Sequence, residues 1–382
     1  MKLKSYIVIL LIISLFTLTG CSQLNGIDQF NFIISIGIDE TDEGMLNLSV
    51  QVSSNGSSSS GSDSSSGSSQ SSSTKIYSVE ANTIDEGITI LNNFLNKQIN
   101  LSHCSALIIS EKVATKGIKS YFNALNNNTE LRETCNLIIS SSTAYDLMNN
   151  ISNSGESFSS RLFDYLTNSE EYTGYTNKST IGTFSNELNT EYCEPTAVYA
   201  LVTDDIVQTA GIAVFKDDYM VGHIDPLSSI AHLIIDKNLN ECLITIDSPF
   251  DENEKMDLEL SLYKDTDINI DVINGSPFIS IDVYPEGSIS SSGNNFDFLN
   301  SENIKLVEDT TNNYLSTLIK NYLYNITKNF NSDISGLGGL YKTHFLTEEE
   351  FNKVEWKKIF QDSFFDVNVK TKINSSNLYN KE

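Results

Sequence analysis

The side chains able to do chemistry are few and scattered. The four histidines, His103, His223, His232 and His344, never fall three or four residues apart, so no helix face offers a paired imidazole site. H-E-x-x-H, G-x-S-x-G, Walker and G-x-G-x-x-G patterns are absent. Ser72 to Lys75 spells S-x-x-K, but inside a serine-rich run that supplies such matches by composition alone. His103 adjoins Cys104; neighbours on a strand point to opposite faces, so the two cannot work as a Cys–His pair. Asp39-Glu40 and Asp42-Glu43 gather carboxylates beside a turn, which reads as a solvated loop rather than a cation site. This inventory nominates no catalytic residue, no metal and no cofactor.

One residue does announce a reaction. Lys2 and Lys4 precede an apolar run from Tyr6 to Leu18, which ends in Leu18-Thr19-Gly20-Cys21. Thirteen helical residues rise about 20 Å, too little for a bilayer core of roughly 30 Å, so the run suits the apolar region of a signal peptide. The small residues before Cys21 are similar to the lipobox of bacterial lipoproteins, where the thiol takes a diacylglycerol. Two acyl chains make a lasting membrane anchor where one would not. Residues 1–20 are therefore expected to be removed, with 21–24 forming the lipidated N-terminus.

The formal net charge is -26, and loss of Lys2 and Lys4 with the leader makes the chain more acidic still. Arg132 and Arg161 are the only arginines. Nucleic acid and anionic lipid surfaces would repel such a chain, so neither is an expected partner. Cys104, Cys135, Cys193 and Cys242 show no C-x-x-C spacing, and three lie in or beside apolar runs; free thiols are expected, although an exported chain permits disulfides.

The elements that must position these residues alternate. Strands are expected at Ile33–Asp39 and Leu46–Val52, then a Ser/Gly-rich insertion at 53–74 whose composition predicts a flexible loop, then a strand resuming at Lys75–Val79. Thr83 and Glu86 suggest a capping box for a helix with Ile84, Ile88, Leu91 and Leu95 on one face. Ser105–Ile109 and Cys135–Ile139 read as strands. Val113 to Leu125, Ala144–Ile151 and a segment carrying Phe158, Leu162 and Leu166 read as helices. Strands follow at Ala197–Val202, Thr209–Phe215, Met220–Ile224 and Cys242–Ile246, with a helix at Ser228–Asp236. The last part offers strands at Leu258–Tyr263, Ile268–Ile273 and Phe278–Tyr284 and a long helix from Lys305 to Phe330. Gly336, Gly338 and Gly339 should end that helix. A helix opened by Thr347 and carrying Trp356 precedes a closing strand from Phe365 to Ile373. The expected class is α+β, with mostly antiparallel sheets in three consecutive mixed domains at 25–190, 191–250 and 251–382.

The order of landmarks resembles the Ger(x)C lipoproteins, the C subunits of spore nutrient-germinant receptors. The resemblance runs over the whole chain. It is carried by the cysteine of the lipobox, by Gly37 and Asp39 in Ile36-Gly37-Ile38-Asp39, by His103 before Leu107 to Glu111, and by Arg132. Further on it is carried by the hairpin Thr209 to Asp218 with Gly211, Phe215 and Gly222, by Asp333 and Gly336 in the Asp-Ile-x-Gly-x-Gly-like turn, and by Trp356. Ser22-Gln23 stand where the family commonly has Trp-Asp, and the Ser-rich insertion is unusual. The resemblance implies a lipid-anchored, non-enzymatic subunit on the outer face of the spore inner membrane, joined by protein contacts to a membrane-embedded, transporter-like subunit and a second, partly cytosolic one. It leaves open whether the Asp333 turn merely ends a helix or also presents a surface to those partners. Two other classes differ in what they require: an importer's solute-binding lipoprotein would show two matching lobes around a cleft, and an envelope hydrolase would converge acidic or histidine side chains in one cleft.

Overall fold

The computed structural model describes residues 29–53, 74–126, 128, 130–153, 162, 164, 166, 168–203, 206–292 and 300–376. The expected signal peptide, Cys21, Phe158 and all but the end residues of the 53–74 insertion lie outside the described residues.

The first half builds β1 (Phe30–Glu40), β2 (Leu46–Ser53), β3 (Thr74–Ala81), α1 (Ile84–Phe94), β4 (Gln98–Asn100), β5 (Ala106–Ser110), α2 (Glu111–Ala114), α3 (Lys119–Asn126), β6 (Asn136–Ser140) and α4 (Ala144–Asn153). It continues through α5 (Ile181–Leu188), β7 (Thr196–Thr203), β8 (Ile206–Lys216) and β9 (Tyr219–Ile224). These strands form one nine-stranded sheet in the order β3-β2-β1-β5-β6-β7-β8-β9, with β4 beside β1. Its outer ladders are antiparallel and its centre, β1-β5-β6-β7, is parallel. The central strands are buried on both faces, which is why Ala106–Ser110 and Asn136–Ser140 are apolar runs without alternation. Leu107 and Ile109 enter one core while Ala106 and Ile108 enter the core on the opposite face.

The second half comprises α6 (Pro226–Ile235), β10 (Cys242–Asp247), β11 (Lys255–Ile273), β12 (Ser276–Ser292), α7 (Ser301–Tyr324), α8 (Leu337–Lys342), α9 (Glu348–Asn352), α10 (Trp356–Ile359), β13 (Phe364–Val369) and β14 (Lys372–Ser376). Its five-stranded sheet runs β10-β11-β12-β13, with β14 also on β12. The α+β class holds, and antiparallel ladders carry most of the paired residues. The sheets number two, however. In the segment 191–250, β7 to β9 complete the first sheet and β10 opens the second. The reason lies in β8, whose side chains alternate between cores: Ala213 and Phe215 enter the first, Ile212 and Val214 the second.

Several elements differ from their sequence pattern. The helix expected from Val113 to Leu125 is two, broken where Gly117 takes a left-handed φ of 99°. The two strands expected between Leu258 and Ile273 are one long strand with irregular register near Leu262 and Lys264. The long helix does not run to the glycines. It passes through a π-helical turn at Asn325–Phe330 and stops at Asn331, left-handed at φ 48°. Gly336 instead caps the start of α8. Thr347 caps α9, but Trp356 sits on the separate α10, entered through a left-handed Glu355.

Candidate functional site

Gly37 and Asp39 seat α4 on β1. The Asp39 carboxylate is buried and accepts from the backbone N–H of Ala144 (2.7 Å) and of Tyr145 (3.1 Å), closing the helix N-terminus from 105 residues away. Burial raises its pKa and those two donors oppose the rise. A Cβ on Gly37 would come within 2.8 Å of Met148 Sδ on the same helix. The carboxylates expected in a solvated loop are therefore divided. Asp39 is internal, whereas Glu40 pairs with Lys116 at the surface. His103 stands exposed with its ring 4.6 Å from Phe32, and Cys104 turns inward to lie 3.8 Å, sulfur to sulfur, from Cys135. The thiols of Cys104, Cys135, Cys193 and Cys242 are all unbridged.

The other motif positions converge on the seam between the sheets. Asp333 is buried, and its Oδ2 accepts from the Gly338 N–H and from the Trp356 indole N–H, both at 2.8 Å; Oδ1 accepts from the Leu337 N–H at 3.1 Å. Desolvation still pushes its pKa up to about 6, against the pull of these three donors. Its carbonyl accepts the Glu194 N–H at 3.0 Å. Gly338 admits the indole: a Cβ there would lie 2.5 Å from the Trp356 ring. The Asp333 side chain in this turn is internal, and its carboxylate faces an indole and a helix end.

Neighbouring contacts bind the two sheets. Ser332 Oγ donates to the Phe215 carbonyl at 2.5 Å, and Phe215 is buried edge-on against Phe184. Gly222 lies under the Phe330 ring, 2.6 Å from where a Cβ would stand. Gly211, at φ 113°, lets the Ile224 carbonyl approach to 1.9 Å of where a Cβ would be, so only glycine fits where the chain leaves β9. Glu194 is buried; its carboxylate accepts from the Asp217 N–H at 2.6 Å and pairs with Lys357 at 2.7 Å. His232 Nδ1, Tyr322 OH and Ser335 Oγ form a buried chain with separations of 2.9 and 2.5 Å. Glu194, Lys357, Ser332 and Tyr322 were not nominated from the sequence. Ser332 stands just ahead of the Asp333 turn, and the other three are common residues in no motif, so no spacing signals their roles.

Two openings flank the seam. A cleft of about 520 Å³ lies over Trp356 and Lys357, walled by Asp217, Glu191 and Phe351. A more enclosed one of about 440 Å³ lies between α5, the end of α6 and the Ser335-Gly336 turn. Among the described residues, no group of three or more His, Cys, Asp or Glu side chains is placed to hold a metal, and no helix is long and apolar enough to cross a membrane.

Two unlike sheets, with the two faces of β8 packed into different cores, make this an α+β protein of the kind seen in the crystal structure of the GerBC protein. The match to that structure has a TM-score of 0.56 at 16% identity, covering 88% of this chain and 96% of that one. The chain belongs to the Ger(x)C family. The family model described as spore germination protein N-terminal domain matches residues 25–201, and the one described as spore germination B3/GerAC like, C-terminal, matches 210–377. Among curated proteins it is similar to spore germination protein KC of Bacillus subtilis (strain 168), 23% identical across 99% of this chain and 97% of that protein.

Proposed function

We infer that this chain is a lipid-anchored, non-enzymatic subunit of a spore germinant receptor, needed for nutrient-triggered germination and acting through protein contacts at the outer face of the spore inner membrane. The observation that carries the reading is the family match across 25–377, together with the end-to-end likeness to spore germination protein KC. Cys21 takes the lipid. The partners are the membrane-embedded and second membrane subunits of the same receptor; no nucleic acid is involved. Most other motif positions serve the scaffold: Asp39 seats a helix, and Gly211, Gly222, Asp333, Gly336 and Trp356 hold the seam that keeps both sheets in one presented body. An importer's solute receptor gains no support from the architecture, because the sheets differ in strand number and order.

The test is deletion of the gene, followed by exposure of dormant spores to nutrients. Loss of the response, with germination by non-nutrient routes intact, is the expected result; an unchanged nutrient response refutes the reading. Labelled palmitate should enter the wild-type chain and not the Cys21→Ala chain.

A further inference from the structure

Two buried thiols meet where the parallel centre of the first sheet begins. Cys104 Sγ and Cys135 Sγ lie 3.8 Å apart, and both side chains belong to the same core. Ladder geometry alone does not bring them together. Ala106 pairs with Asn136, which sets Ser105 opposite Cys135 and Cys104 one residue further back. A strand continued straight back from Leu107 and Ile109, which face this core, would send Cys104 to the opposite face. Instead Cys104 closes a turn, its N–H donating to the Leu101 carbonyl at 3.0 Å, and its sulfur is brought round to Cys135. The backbone beneath the two sulfurs is held. The Asn136 N–H and side-chain amide both donate to the Ser105 carbonyl at 3.0 Å, and the Cys135 carbonyl accepts the Ile181 N–H at 2.9 Å.

Neighbouring strands lie about 4.8 Å apart and rise about 3.3 Å per residue, so α-carbons offset by one position are about 5.8 Å apart. Disulfides most often span about 5.5–6 Å between α-carbons. Closing the gap from 3.8 Å to a bond of about 2.0 Å moves each sulfur about 0.9 Å, which a modest χ1 rotation supplies. We propose that Cys104 and Cys135 are a modification site, oxidised to a structural disulfide while the exported chain folds. The oxidant is a disulfide-bearing thiol oxidase outside the membrane. One protein thiolate attacks its disulfide, forming a mixed disulfide and releasing one oxidase thiolate. The second protein thiolate then attacks the protein sulfur of that mixed disulfide and expels the other oxidase thiolate. The two protein thiols thus lose two electrons and two protons, and the oxidase disulfide becomes two thiols. Exchange comes before the core closes. In the folded chain both sulfurs are buried, and the Cys104 sulfur, with burial, holds the Cys135 thiol well above its ordinary range. The bond ties the mouth of the 31-residue crossover that leads from β5 through α2 and α3 to β6. It restricts the unfolded chain there and so stabilises the fold. The inference rests on the reading of the chain as exported, since cytosolic thiols are kept reduced.

The test maps the thiols of the full-length chain taken from spore membranes. The sample is denatured without reductant in the presence of iodoacetamide, digested, and read by mass spectrometry. The expected product is a cross-linked peptide pair holding Cys104 and Cys135, lighter by two hydrogens than the reduced peptides together. Cys193 and Cys242 should be alkylated. Recovery of Cys104 and Cys135 as alkylated thiols overturns the proposal, and palmitate labelling of the same sample shows how far the failure reaches. Free thiols on a lipidated chain sink the disulfide alone, whereas free thiols on an unlipidated chain sink the export reading with it. Dithiothreitol should lower the melting temperature of the wild-type chain by about 5 °C or more, and leave the Cys104→Ala, Cys135→Ala double variant unmoved. If the double variant does not fold, the peptide map alone decides. A wild-type melting temperature indifferent to reductant also overturns the proposal.

Discussion

The Asp333 carboxylate and the Trp356 indole N–H, 23 residues apart in sequence, meet at 2.8 Å inside the protein and join the turn after α7 to α10. Trp356 is the only tryptophan in the chain. Asp333→Ala would strand three buried donors, the Leu337 and Gly338 amides and the indole. Each costs about 1–3 kcal/mol when left unpaired. The variant should lose about 3 kcal/mol or more of stability in urea unfolding followed by the intrinsic fluorescence of Trp356. A loss below about 1 kcal/mol would show that the seam does not depend on this carboxylate.

Glycine positions separate close approach from backbone preference. Gly211→Ala drives a methyl into the Ile224 carbonyl, which cannot retreat without unseating α6, so insoluble or strongly destabilised protein is expected. Gly275→Ala, at the β11–β12 hairpin, has nothing within 4 Å and meets only its left-handed φ of 86°, costing about 1 kcal/mol. Equal melting temperatures for the two variants would contradict the geometry around Gly211.

The Glu194–Lys357 pair is half in water: the Lys357 side chain is 38% exposed and that of Glu194 3%. Lys357→Met alone leaves a buried carboxylate without its cation and should raise the Glu194 pKa further above the ordinary carboxylate range. A double-mutant cycle with Glu194→Gln should return a coupling of about 1 kcal/mol. Strict additivity would mean that the ion pair contributes nothing.

Glu187 gives stability a pH slope of predictable sign. Its pKa rises from 4.5 to about 7 on folding, so the folded chain binds this proton more tightly than the unfolded chain. The associated stability is fully present below about pH 4.5 and is lost as pH climbs through 7. The melting temperature should therefore fall between pH 5 and about 7.5, and fall less in Glu187→Gln. Asp333, titrating toward about 6, leaves a residual slope in that variant. Identical slopes in both proteins would place Glu187 in open solvent.

Local pattern alone determined much of this protein. The apolar runs Leu107 to Ile109 and Leu137 to Ile139 required buried strands, and Thr83 and Thr347 marked helix starts because their side-chain oxygens meet free N–H groups there. The order of motifs along the chain is enough to point to the family. Tertiary structure decided the rest. Asp39 looked like part of an acidic surface turn because its partners, the amides of Ala144 and Tyr145, lie 105 and 106 residues away. The glycines after α7 looked like its C-cap, whereas Gly338 is there to admit an indole. The 191–250 segment looked independent because its strands alternate correctly, but alternation does not say which sheet a strand joins. That choice was made by β8, whose two faces each found a different core, and by buried carboxylates whose compensation, or lack of it, depends on groups that sequence spacing cannot bring together.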